Sequence, residues 1–177
     1  FPLIVTLHLL GGLGLLALLA VQAGGIAPRP IAMRSPRLPR FWLVLGLLVV
    51  VAQAALGAWV SSNYAVLACD TFPLCQGQFW PPMDFAAGFS LWRELGQVAG
   101  GGMLPFEALT AIHMVHRLFA VFVLGVLLLV ANRLLRVGAN KPARWLVALT
   151  GAQLLTGLSN VVLGWPLLAA LLHTGGA

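Results

Sequence analysis

Four histidines are the residues of this sequence best suited to chemistry: His8, His113, His116 and His173. Each lies within a long apolar run, and no Asp or Glu shares those runs to pair with them. An ionisable side chain at membrane depth is costly, and it is usually functional. For any single histidine the alternative is an interhelical hydrogen bond, or a ring that lies near lipid headgroups.

The elements that carry these histidines are apolar helices. The chain has 177 residues, of which 60% are hydrophobic and 8% charged, whereas a soluble domain carries about 25% charged residues. This composition excludes a soluble globule and a disordered chain. Strand-like alternation is lacking, so we predict an all-α polytopic membrane protein, a transmembrane four-helix bundle with a long outer loop. The apolar runs are 1–24, 41–61, 111–132, 144–165 and a short fifth run from 167 to 177.

The charges are arranged by loop. Every acid lies between residues 69 and 107, whereas the bases concentrate in two loops, 28–40 and 133–144. This is the positive-inside pattern, so we expect both basic loops in the cytoplasm and the segment 62–109 outside. The net charge of +6 is therefore a topology signal: membrane lipid is the expected partner, and no nucleic acid is expected. The bases in or at the edges of these two loops are Arg29, Arg34, Arg37, Arg40, Arg133, Arg136, Lys141 and Arg144.

The outer loop, 62–109, carries two local signals. Residues 83–97 place Phe85, Phe89 and Trp92 at helical spacing, which predicts an amphipathic surface helix; a cap packed on the bundle is the alternative. Cys69 and Cys75 lie on the oxidising side and are most simply a disulfide. A redox-active pair is the alternative, although the C-x-x-C spacing of thiol oxidoreductases is absent.

Depth brings two of the histidines together. His116 lies about six residues, and His173 about seven, from the outer ends of their helices, or ~9–10 Å at 1.5 Å per residue. Two neutral imidazoles that face each other across a bundle indicate a haem-iron site, because zinc would require four ligands. His113 shares a helix face with His116, and Arg117 can reach the outer interface to meet a carboxylate such as a haem propionate.

Two further patterns concern the helices themselves. His8 and His173 each begin an H-x-x-G pattern, ending at Gly11 and Gly176, where glycine would let a flat macrocycle approach the backbone. We interpret the first and fifth runs as equivalent helices of two repeats, so that His8 belongs to a second site whose other ligand lies upstream. Three amides inside the runs are expected to form interhelical hydrogen bonds or, alternatively, to line the cofactor pocket: Gln53, Gln153 and Asn160.

Several long motifs resemble the haem A synthase family of proteobacteria. They are HLLGG at 8–12, QAALGAWVSSNYAVLACDTFPLCQGQFWPPMDF at 53–85, AIHMVHRL at 111–118 and LSNVVLGWPL at 158–167. The resemblance implies eight transmembrane helices in two similar halves. It then divides this chain into a helix of the N-terminal half (1–24), a cytoplasmic loop (25–40) and a C-terminal haem-binding bundle (41–177) with a truncated last helix.

The resemblance also implies an activity and its cofactors. The family oxidises a methyl group of haem O to a formyl group, making haem A for terminal oxidases in the bacterial inner membrane. By resemblance, His116 and His173 ligate haem b with Arg117 and His113 beside them, and His8 ligates the substrate haem. The main catalytic residues are then expected upstream of this chain.

Other implications and alternatives complete the prediction. By resemblance, Cys69 and Cys75 form a disulfide, His113 stands where the related motif of the other half carries Glu, and haem O synthase and oxidase assembly factors are partners. One alternative is a bis-histidine membrane cytochrome b that acts only in electron transfer. Another is a structural membrane subunit without a cofactor. The motif at 53–85 favours the synthase over both.

Overall fold

The computed structural model describes residues 1–26, 40–98 and 100–176, and these residues form helices and loops without a β-strand. A single 3-10 turn, Ala65–Leu67, follows the second helix. Three of the predicted cytoplasmic bases (Arg29, Arg34 and Arg37) lie outside the described residues. The helices are α1 (Pro2–Ile26), α2 (Arg40–Ser62), α3 (Phe85–Gly88), α4 (Phe106–Arg136), α5 (Asn140–Val162) and α6 (Leu167–Gly175).

Four of these helices are long and apolar enough to cross a membrane: α1, α2, α4 and α5. At 23 to 31 residues each, they exceed the ~20 residues that span the hydrocarbon core. The prediction of an all-α membrane bundle is therefore confirmed. The fifth apolar run forms the nine-residue α6, which ends close to the last described residue.

The helices pack in sequence, α1 on α2, α2 on α4, α4 on α5 and α5 on α6. The inner half of the α2–α4 contact is an aliphatic cluster built from Val49, Val123, Val126, Leu127 and Val130. The outer half is filled by Trp59 of α2 with Ala108 and Ile112 of α4. In contrast, α1 exposes most of its apolar side chains, as expected of a helix surrounded by lipid or by further protein.

The ends of α4 carry the charges that its dipole favours. Glu107 lies in the first turn, and Arg133 and Arg136 lie in the last, where an acid and a base are each stabilising. The chain then reverses through a short turn at Gly138, whose φ of +79° favours glycine over residues with a side chain. This tight connection places α5 antiparallel to α4.

The outer segment contains less helix than its sequence predicts. Over 83–97, helix is confined to α3, which Asp84 caps by accepting a hydrogen bond from the Ala87 N–H at 2.9 Å, so the prediction of a longer helix there is wrong. The side chain of Arg93 turns inward to Asn63, and Gly96 has a φ of +73°. The positive φ of Gly96 is incompatible with a right-handed helix that continues through this position.

The outer segment packs on the bundle as a cap at α3. The Trp59 indole N–H donates to the Gly88 carbonyl at 3.0 Å, and Phe89 packs against the outer core cluster. Phe85 and Trp92 remain exposed, as aromatic residues at a membrane interface do. Nearby, Phe1 stacks on Trp92 with ring centroids 5.0 Å apart, which ties the start of α1 to the cap.

Candidate functional site

His116 lies on α4 and is held by α2. The side-chain nitrogen of Gln53 is 3.2 Å from His116 Nδ1 and 3.3 Å from the His116 carbonyl oxygen. The ring lies over Gly57, one turn further along α2, where a Cβ would be 3.2 Å from His116 Cε1. The interhelical hydrogen bond predicted for Gln53 is therefore confirmed, and its partner is a candidate haem ligand.

His173 lies on α6 and is held in a similar way by α5. Its Nδ1 is 3.1 Å from the hydroxyl oxygen of Thr156. The ring lies over Gly157, where a Cβ would be only 2.9 Å from His173 Cε1. Only a residue without a side chain fits beneath the ring at that distance, so the glycine fixes how closely α6 approaches α5.

The packing of the helices brings the two rings to neighbouring elements. Helix α5 packs against both α4, which carries His116, and α6, which carries His173. Within the described ranges, no group of three or more His, Cys, Asp or Glu side chains could hold a metal ion. The arrangement therefore offers two imidazole nitrogens and no carboxylate or thiolate, which suits haem iron and not zinc.

His113 and Arg117 flank His116 on α4. His113 is only 6% exposed, its ring lies beside the backbone of Ala65, and its Nδ1 has no hydrogen-bond partner among the described residues. Arg117 extends outward as expected. Its guanidinium donates to the carbonyls of Cys69 at 2.8 Å, Thr71 at 2.9 Å and Leu74 at 3.2 Å. These residues belong to the loop closed by the Cys69–Cys75 bond, and a contact of Arg117 with a propionate stays a prediction.

The Cys69–Cys75 pair forms the predicted disulfide. Both residues are buried and pack beside Met114 of α4, which lies between the two histidines on that helix. Gln76 extends the same attachment, since its amide nitrogen donates to the Ala68 carbonyl at 3.0 Å and to the Thr110 hydroxyl at 2.8 Å. The loop is thus fastened directly above His113 and His116.

His8 lies apart from this pair. It is exposed on α1, and within the described ranges α1 packs mainly against α2. Thr6 and Ser62 are 3.4 Å apart by their hydroxyl oxygens at the outer end of the α1–α2 contact, which places His8 near the outer end of the bundle. The assignment of His8 to a separate site stays a prediction.

The remaining predicted polar residues behave differently from one another. Asn160 is 3% exposed and neither of its amide atoms has a partner among the described residues, so its predicted interhelical hydrogen bond is wrong. Gln153 lies against Gly176, where a Cβ would be 2.6 Å from the Gln153 amide nitrogen. Gly176 therefore makes room for a side chain of α5, while Gly11 has no atom of another element within 4 Å.

Three residues of this site were missed by the sequence reasoning: Thr156, Gly57 and Gly157. One signal could have found the glycines. The pattern Q-x-x-x-G occurs at 53–57 in α2 and at 153–157 in α5, and both glycines lie beneath a histidine ring. Thr156 gives no such signal, because its contact with His173 depends on how α5 and α6 pack.

The chain was compared with known proteins. The model of the COX15-CtaA family, described as cytochrome oxidase assembly protein, matches residues 1–177. The chain belongs to this family. It is 36% identical to a heme A synthase of Shewanella oneidensis, over 99% of the chain and 54% of that relative. It is 34% identical to a heme A synthase of Methylobacterium radiotolerans (97% and 45% covered) and 33% identical to that of Sphingopyxis alaskensis (94% and 44% covered).

The family membership confirms the resemblance read from the sequence motifs. No solved structure matches the chain significantly. The chain spans about half the length of the curated relatives that it matches. Those relatives therefore carry residues that have no counterpart here.

Proposed function

We propose that this chain provides the haem b half of a bacterial inner-membrane haem A synthase. The observation that supports this most strongly is the pairing of His116 and His173, each seated over a glycine of the neighbouring helix. Relatives named heme A synthase match almost the whole chain, and they favour this function over an electron-transfer cytochrome b. Haem O as substrate, haem A as product, and haem O synthase and oxidase assembly factors as partners belong to the same proposal.

The residues present fit a haem group. Gly57 and Gly157 leave bare backbone at the Cε1 edge of the two rings, so each ring lies close against its supporting helix. Asn160 is buried three residues beyond Gly157 with both amide atoms unpartnered. Unpartnered buried amides are costly, and polar groups of a bound haem would satisfy this one.

The reaction defines what this half must do. Converting a methyl to a formyl group removes four electrons and adds one oxygen atom. A haem held by two protein nitrogens has no open iron position and supplies one-electron transfer. His116 and His173 therefore act as ligands, and the disulfide loop held by Arg117 covers the outer side of the site. The oxidation itself belongs to the His8 site and to residues beyond this chain.

The test is haem content in full-length protein. A pyridine haemochrome spectrum should show haem b, and His116→Ala or His173→Ala should each abolish or greatly weaken it. His8→Ala should leave the b-type signal in place while abolishing haem A formation, measured by chromatography of extracted haem. A b-type signal that survives in both the His116→Ala and His173→Ala variants would refute the assignment. Haem b without any haem A or haem O in the wild-type protein would instead favour the cytochrome b.

A further inference from the structure

The two candidate haem ligands share a supporting arrangement that the function proposed above does not explain. A glycine lies beneath each ring, Gly57 under His116 and Gly157 under His173, at 3.2 Å and 2.9 Å for a Cβ built on each. Gly151, on the same helix as Gly157, has no atom of another element within 4 Å. The close approach is therefore particular to the histidine contacts and not a general feature of the glycines in these helices.

At His173 the hydrogen bonds favour one tautomer. The Thr156 hydroxyl has one hydrogen, and it can be donated to the Ala152 carbonyl, 2.9 Å away on the same helix. The hydroxyl oxygen is then an acceptor, and it lies 3.1 Å from His173 Nδ1. In this arrangement the hydrogen of the neutral ring lies on Nδ1, which leaves the lone pair of Nε2 free to bind iron.

At His116 the partner is an amide that can present either end. The Gln53 nitrogen is 3.2 Å from His116 Nδ1, 3.4 Å from Nε2 and 3.3 Å from the His116 carbonyl oxygen, while the Gln53 oxygen Oε1 is buried without a partner among the described residues. An imidazole that binds iron through Nε2 carries its hydrogen on Nδ1. A half-turn of the amide exchanges its nitrogen and oxygen: it gives Oε1 the Nδ1–H that it lacks and gives up the bond from the Gln53 nitrogen to the His116 carbonyl, and iron at Nε2 replaces the second ring contact.

We propose that Gln53 and Thr156 are positioning residues that orient His116 and His173 as haem ligands, each by accepting a hydrogen bond from Nδ1. Gly57 and Gly157 fix the distance at which each ring lies from its supporting helix. The inference rests on the proposed haem site, and it adds the residues that set how strongly and at what potential that haem is held. An acceptor on Nδ1 makes the imidazole a stronger donor to iron and stabilises the ferric state.

The experiment uses full-length, haem-loaded protein and compares variants in the rate of haem release and in the midpoint potential of the b haem. Thr156→Val keeps the side-chain shape and removes the hydroxyl. It should release haem roughly 10–100-fold faster, the usual effect of losing such a partner, and raise the potential. Thr156→Ser should restore both values. Ser159→Ala is the matched control, because it removes a hydroxyl that bonds only the Thr156 carbonyl, at 2.8 Å.

A second pair of variants tests Gln53 by the direction of change. Gln53→Leu removes the acceptor and should raise the midpoint potential, whereas Gln53→Glu provides a stronger acceptor and should lower it. Opposite shifts cannot come from a general loss of packing. Among the glycines, Gly157→Ala should weaken haem binding, since its new Cβ would lie 2.9 Å from the His173 ring, and Gly151→Ala should not.

The outcomes separate this inference from the function on which it rests. Wild-type release rates and potentials in both Thr156→Val and Gln53→Leu would overturn the positioning roles while the haem site stands. The positioning role of Gln53 is also overturned if Gln53→Leu and Gln53→Glu shift the midpoint potential in the same direction. If both His116→Ala and His173→Ala keep the b haem, the haem site itself is overturned. If Thr156→Val does not fold, the opposed Gln53 pair still decides.

Discussion

Arg117 provides the sharpest test of how the outer loop is held, because sequence and structure suggest different partners for it. The sequence predicts a contact with a haem propionate, whereas the structure has the guanidinium donating to the carbonyls of Cys69, Thr71 and Leu74. We expect Arg117→Met to destabilise the protein whether or not haem is bound. A propionate contact alone would instead matter only in the haem-loaded state.

The magnitude follows from the burial of the three carbonyls. Cys69 is 1% exposed, so its carbonyl cannot easily exchange the lost donor for water, and one such charge-assisted bond contributes about 1.5–3 kcal/mol. Thr71 is exposed and Leu74 is half-buried, so water replaces much of what their bonds contribute. The free energy of unfolding should therefore fall by about 2–4 kcal/mol in total. At 1.4 kcal/mol per factor of ten, the equilibrium constant for folding should fall by about 30–700-fold.

The assay is reversible unfolding in mixed detergent micelles, measured on haem-loaded and haem-stripped protein. Arg144→Met is the matched control, since Arg144 is exposed on α5 and should change stability by less than about 0.5 kcal/mol. Arg117→Lys should recover only part of the loss, because one ammonium cannot match the forked geometry of the guanidinium. Unchanged stability of haem-stripped Arg117→Met, together with weaker haem binding, would refute the loop assignment in favour of the propionate.

Three further predictions concern the cap and the topology. Alkylation followed by intact-mass measurement should find the thiols of Cys69 and Cys75 only after reduction, and free thiols in the unreduced protein would contradict the disulfide. Gly88→Ala should lower the unfolding free energy by about 1–3 kcal/mol, because its Cβ would lie 2.9 Å from the Ala108 carbonyl oxygen; wild-type stability in the same unfolding assay would contradict that packing. Reporters fused at positions 35 and 140 should be active only in cytoplasmic form, and an active exported phosphatase at either position would reverse the orientation.

The membrane character of this chain could be predicted from sequence because it depends on local properties. A run of about 20 apolar residues must form a helix in lipid, where every backbone polar group needs a partner within its own segment. This requirement located α1, α2, α4 and α5 to within a few residues. The prediction of a longer helix over 83–97 failed because this requirement does not hold outside the membrane, where water can satisfy backbone polar groups. Outside the membrane, helix competes with other arrangements, such as the loop in which Arg93 bonds to Asn63.

The sequence by itself determined which residues are available for chemistry. Four histidines in apolar runs without acids, with two of them at one depth, predict a haem site from residue type and position alone. The family motifs then lead to the function proposed for that site. These signals depend on residue type, spacing and distance from the helix ends. They do not depend on the rotation of each helix about its own axis.

Only the tertiary structure decided which side chains contact the candidate ligands. The contacts of Gln53 with His116 and of Thr156 with His173 depend on the rotation and separation of neighbouring helices. The close approach at Gly57 and Gly157 has the same origin. The prediction for Asn160 failed for the same reason: its position predicts an interhelical hydrogen bond, but the packing provides no partner among the described residues. Spacing along a chain fixes the face of a helix, but the facing atom is fixed only when two helices pack.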